Sequence, residues 1–152
     1  VYARIEPLLR CIATDITHCG PPGAGALVKL LNNLVVFETV VALAEAVTLA
    51  RRSGLVSDER LFDALGKGSA ASFTLENHGR KALLPDVHST GAFPARYMRK
   101  DLGYVLDLAA DVGVQVPAGT LAHQLLSKLC DRGYAEAYHT AVVRLIDAER
   151  KE

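Results

Sequence analysis

Apolar and polar positions divide the chain into helices of unequal length. The dominant stretch runs from Gly20 to Gly54. It has a Pro/Gly-rich entry, Gly20-Pro21-Pro22-Gly23-Ala24-Gly25, and then no Gly or Pro until Gly54. Ala, Leu, Glu and Lys dominate it, which favours helix over strand. Roughly 30 residues at about 1.5 Å each predict a rod about 45 Å long. Such a length exceeds the globular norm, so other elements must pack along it on several sides. At about 100° per residue, Glu38, Glu45 and Arg52 share one stripe, facing solvent or a polar seam. Lys29 and Asn33 lie one turn apart on the opposite side, and their stripe continues as Val36, Val40, Leu43 and Val47. A lysine and an asparagine thus open a face that otherwise reads as core. Burying an unpaired ammonium is costly. Two readings stay open: Lys29 snorkels out past the helix start, or Lys29 and Asn33 look together into a cleft at the helix N-terminus, where the helix dipole favours an anion.

The remaining segments surround this rod. Residues 1–10 read as a short helix with Ile5, Leu8 and Leu9 on one side and Pro7 in its first turn. Residues 12–19 read as a short strand, with Ile12 and Ile16 apolar. A lone strand cannot satisfy its backbone groups, so it needs a sheet that this sequence does not supply. Residues 1–20 are therefore read as the tail of a preceding α/β domain, and residues 21–152 as a complete helical domain. Ser57 caps a helix over 58–65 with acidic residues in its first turn, which Gly66 and Gly68 end. Residues 69–84 are helical in part, interrupted near Gly79, and 85–92 form a loop beside the cleft. A helix follows over 95–112, with Tyr97, Leu102, Val105, Leu106 and Ala109 among its apolar positions. Pro117 opens another that Gly133 stops, and a last helix is predicted over 135–149.

Composition changes this picture little. Half of the 152 residues are apolar and 22% are charged, which is ordinary for one globular domain with a sizeable core. A formal net charge of zero gives no steering toward nucleic acid or an anionic membrane. Glu38 and Glu45 interrupt the apolar run over 34–50 and argue against a membrane span. Cys11, Cys19 and Cys130 are an odd set without framework spacing, which favours a reduced, cytoplasmic compartment; no secretory signal leads the sequence. Gly23-Ala24-Gly25 imitates a dinucleotide fingerprint, but Val28 stands where the third glycine belongs and no second strand with an acidic end follows. No metal site is expected: His18 beside Cys19 is not a ligand spacing. His78, His88, His123 and His139 fall in separate elements and read as surface or core histidines, with His88 the one whose loop borders the cleft.

The motif G-x-x-G-x-G-x-x-x-K-L-x-N-N, followed by A-L-A-E-A and R-S-G-L, resembles the start of the C-terminal domain of the 3-hydroxyisobutyrate dehydrogenase family, the β-hydroxyacid dehydrogenases related to 6-phosphogluconate dehydrogenase. Phe93 and Lys100-Asp101-Leu102 match the family's F-x-x-x-x-x-x-K-D-L; Leu121-Ala122-His123-Gln124 and Arg132-Gly133-Tyr134 add supporting similarity. The resemblance implies a mainly α fold built around one long helix, after a helix-strand remnant of a Rossmann domain. It implies an NAD(P)-dependent enzyme interconverting a 3-hydroxy acid and its semialdehyde. Lys29 would be the catalytic acid/base, its amine neutral by desolvation on an apolar face. Asn33 would hold substrate, Phe93 would border the substrate pocket, and Lys100 would reach the nicotinamide end of NAD or NADP. Read from the residues alone, Lys100 and Asp101 are an ordinary solvated pair; with the resemblance, Asp101 pairs structurally within the helix array. Partners implied are the enzyme's own Rossmann domain and a second copy in a homodimer or higher oligomer. Without its Rossmann half the fragment is expected to be inactive. The competing reading is a non-catalytic helical oligomerisation module that keeps an inherited pocket.

Overall fold

The computed structural model describes residues 1–147. Helix α1 (Tyr2–Leu9) leads into an irregular stretch and then α2 (Ala24–Ser53), α3 (Asp58–Lys67), a π-helix (Leu75–Leu83), α4 (Ala95–Asp111) and α5 (Pro117–Leu129). A π turn (Cys130–Tyr134), a 3₁₀ turn (His139–Val142) and α6 (Val143–Ile146) close the described chain. The fold is mainly helical, with no strand among the described residues.

Helix α2 is the 30-residue rod that the sequence predicts, opened by Gly23 and closed by Gly54, both in left-handed backbone that favours glycine. By length and composition it could cross a membrane. It serves instead as the central core helix: Phe37, Val40, Leu43, Ala44 and Val47 are buried, and α3, the π-helix, α4, α5 and α6 all pack against it. Glu45 on the opposite stripe is exposed, while Arg52 pairs with Asp147 at 2.6 Å.

Several local expectations are corrected. Residues 12–19 form no strand, as a segment without neighbours to bond must. Pro7 sits in the second half of α1, not in its first turn. Ser57 caps α3 by accepting from the Arg60 amide, but Gly66 lies inside that helix and Gly68 ends it. Gly79 does not interrupt its helix. It is buried within the π-helix, where a Cβ would stand 2.6 Å from Phe62 Cε1. The wide winding shows in the Leu84 amide bonding to the Gly79 carbonyl and the Val87 amide to the Ala82 carbonyl, both at 2.9 Å and five residues apart. Tyr97 is exposed, not apolar core. Residues 135–138 are not helical: Thr90 bridges Ala137 and Pro94 bridges Tyr138 in antiparallel fashion, so the last helix begins late; residues 148–149 of the prediction lie outside the described residues.

Candidate active site

The start of α2 and the first turns of α4 face one another, and the carboxylate of Asp101 joins them. Asp101 is only 3% exposed. Its Oδ2 accepts a hydrogen bond from Asn33 Nδ2 at 2.7 Å and is ion-paired with the Lys29 amine. Its Oδ1 lies 3.2 Å from Lys100 Nζ. Burial by itself would raise the Asp101 carboxyl, but the hydrogen bonds from Lys29, Lys100 and Asn33, with the charge of Lys29, outweigh it and hold the group below its ordinary value. One buried anion thus fixes three of the residues that the sequence singles out.

Lys29 and Asn33 do converge on one cavity, of about 270 Å³, lined also by Phe73, His78, Phe93 and His139. The Lys29 amine stands 5.7 Å from the centre of the Phe93 ring. The solitary, desolvated amine expected from the sequence is not found: the Lys29 side chain is 54% exposed and paired with Asp101. Lys100 does not line this cavity. It stands at the exposed face of α4, between the rings of Tyr97 and Tyr104 at 5.8 and 5.7 Å.

Sequence reasoning places the wrong histidine here. His88 turns into the fold, its Nδ1 2.9 Å from Thr140 Oγ1 and its Nε2 3.2 Å from Asp86 Oδ1, and it does not line the cavity. His78 and His139 do. His78 is carried by the π-helix, whose winding the sequence periodicity does not show. His139 opens the 3₁₀ turn where an α-helix is predicted, and only its place beside Tyr138 hints at a ring cluster. Tyr138 Oη meets His78 Nδ1 at 2.5 Å. His139 Nδ1 lies 3.2 Å from the Phe93 carbonyl, so the backbone of Phe93 braces the back of the pocket that its ring lines.

This arrangement sets an amine, an amide and two imidazoles against apolar walls around one small cavity, with a second amine outside it on the exposed face of α4. A sequence profile described as the NAD-binding domain of NADP-dependent 3-hydroxyisobutyrate dehydrogenase matches residues 23–146. The mouse mitochondrial 3-hydroxyisobutyrate dehydrogenase is 28% identical over 97% of this chain and 45% of its own length. The 2-(hydroxymethyl)glutarate dehydrogenase of Eubacterium barkeri is 31% identical over 95% and 48%. Among solved structures, the Salmonella typhimurium 3-hydroxyisobutyrate dehydrogenase superposes with a TM-score of 0.85 at 25% identity, covering 95% of this chain and 50% of that one. The Mycobacterium tuberculosis 3-hydroxyisobutyrate dehydrogenase with L-serine gives 0.84 at 28% identity, over 95% and 51%. The chain spans about half the length of the relatives it matches.

Proposed function

The chain belongs to the 3-hydroxyisobutyrate dehydrogenase family, through the domain whose profile it matches, and from that premise we propose that it forms the C-terminal half of a dehydrogenase interconverting a 3-hydroxy acid and its semialdehyde. NAD or NADP is the cofactor of this family. The observation that carries the reading is the shared carboxylate: Asp101 sets the Lys29 amine and the Asn33 amide side by side at one pocket.

In this reading Lys29 handles the proton at the reacting oxygen. As an ammonium it donates to the carbonyl oxygen of the semialdehyde in reduction; as a free amine it takes the hydroxyl proton in oxidation. Asn33 keeps one amide hydrogen on Asp101 and its oxygen accepts from Asn32 Nδ2 at 3.4 Å, which leaves its second amide hydrogen to hold the substrate at reacting distance. Phe93 closes one wall. Lys100, outside the cavity on the exposed face of α4 and tethered by the same Asp101 that orders Lys29, would offer its cation to a nicotinamide dinucleotide. The bound nicotinamide supplies the hydride acceptor or donor.

In this reading residues 1–20, where α1 is followed by an irregular stretch and not by the expected strand, belong to a preceding Rossmann-type domain, and the helical domain begins at residue 21. The apolar side chains of Leu27, Val28, Leu31 and Val35, 39–61% exposed near the start of α2, support a protein partner there, the Rossmann half or a second copy in a homo-oligomer. Joining the chain to its N-terminal half and assaying 3-hydroxy acids with both cofactors tests the reading: the joined protein is active and Lys29→Ala is not. Wild-type turnover in Lys29→Ala removes the acid/base role.

A further inference from the structure

Just past the π-helix, Asp86 has a φ of +58°, and it is the one non-glycine residue with positive φ among the described residues. Glycine usually takes such a place after a helix, because a side chain is strained there. The carboxylate gives a reason for the aspartate. Its Oδ1 lies 3.2 Å from His88 Nε2 and its Oδ2 3.0 Å from Arg144 Nη2. A carboxylate can only accept, so the first contact places a proton on His88 Nε2. Through Nδ1 the same ring meets Thr140 Oγ1 at 2.9 Å. The His88 side chain is 6% exposed and Thr140 is fully buried. Backbone strain persists where the surroundings over-determine it, and it gathers beside functional sites.

These contacts stand behind the cavity, since neither Asp86 nor His88 lines it. Main-chain bonds join the same two segments: the Tyr138 amide donates to the Ser89 carbonyl at 3.2 Å, and Thr90 bridges Ala137. Each segment leads directly to a residue of the cavity. Thr140 follows His139, and the loop from His88 runs to Phe93. The His139 ring meets the Phe93 carbonyl at 3.2 Å and closes the circuit. Lys29 and Asn33 are held separately, by Asp101. We propose that Asp86, acting through His88 and Thr140, is a positioning residue that fixes where Phe93 and His139 stand in the cavity wall. It governs how tightly substrate is held and leaves proton transfer at Lys29 alone. This rests on the reading of the cavity as a hydroxy-acid site and adds the part of the chain that shapes it.

Asp86→Gly and Asp86→Asn separate the carboxylate from the backbone. Glycine takes this φ without strain but offers no acceptor. Asparagine tolerates the same backbone and keeps an oxygen for His88. Calorimetry on the full-length enzyme is expected to show 3-hydroxyisobutyrate bound about tenfold more weakly by Asp86→Gly, the scale of one lost hydrogen-bonded contact. KM rises by the same factor, while kcat changes less than about twofold. Asp86→Asn stays within about threefold of the wild type in both measurements. A merely structural carboxylate lowers thermal stability and leaves affinity alone, so unchanged binding in Asp86→Gly overturns the proposal. An equal loss in Asp86→Asn overturns it too, because the effect then belongs to the charge facing Arg144 and not to His88. A fall in kcat with KM unchanged does the same. Weakened binding in Asp86→Gly, with no turnover by the wild type, upholds the coupling and removes the dehydrogenase reading; failure of the wild type to bind the acid removes both.

Discussion

Asn33 and Asp101, 68 residues apart in sequence, are joined by a 2.7 Å hydrogen bond from amide to carboxylate. The bond ties the first turns of α2 to α4, and the Lys29 amine shares the same oxygen. Replacing Asp101 with Ala strands a partly buried amide hydrogen and frees the lysine. A stability loss of about 2 kcal/mol is expected by urea titration, with a fall in kcat/KM of the full-length enzyme of about 100-fold from lost positioning. Unchanged kinetics would remove Asp101 from the site.

Asp101 also sets an acid limit. Its folded pKa is depressed, so the unfolded chain binds more protons there. The stabilisation is present above the ordinary value of 3.8 and is lost as pH falls through the lowered folded value. Asp101→Asn is expected to remove this part of the acid dependence, seen as a flatter stability profile at the acid end of a urea series.

His139 acts over a different window. Burial pushes it down to about 4 from an ordinary 6.5, so between these values the unfolded chain binds the extra proton. Its contribution is complete above pH 6.5 and falls away as pH drops toward 4. Between pH 7.5 and 4.5 the loss from this group is on the order of 2–3 kcal/mol. His139→Asn is expected to flatten that segment; an unaltered slope would show that His139 is not buried neutral.

Gly79→Ala brings a methyl into Phe62, which is fully buried. Overpacking of this kind costs about 1–3 kcal/mol. Thermal denaturation should show the cost reduced in a Phe62→Leu background, where the opposing ring is gone. Equal costs in the two backgrounds would mean that the backbone shifts to relieve the contact.

Asn33→Ala in the full-length enzyme is expected to raise KM for the acid while leaving the fold intact, since the residue is only half-buried. Because Asn33 also shares the Lys29 carboxylate, kcat should fall too, by about tenfold. Steady-state kinetics separate the two effects.

The architecture was legible where local rules suffice. The Gly-bounded, apolar run specifies α2, Ser57 specifies the start of α3, and Pro117 that of α5. The convergence of Lys29 and Asn33 follows from their spacing on one helix. What escaped depends on contacts between distant segments. From the residues alone Asp101 reads as an ordinary solvated residue; the resemblance has it pairing within the helix array, but its partners Lys29 and Asn33 emerge only when α4 is laid against α2. His78 depends on a π winding that periodicity does not encode. The 135–138 segment has helical composition but bonds to the chain around Pro94, with the Ala95 and Arg96 amides taking the carbonyls of Ala137 and Ala135. The desolvated lysine failed for the same reason: its partner lies on another helix.

The broad winding of Leu75–Leu83 also bears on how this protein can change. A π segment holds an additional residue within a helix, so deleting one position there would let the backbone relax to ordinary α geometry. Side chains on one side of the deletion would then rotate by about 100° relative to the other. His78 would leave the cavity wall without any substitution at His78 itself. Natural length variation in this segment is thus a route to a differently lined cavity, one that a comparison of aligned residue types would overlook.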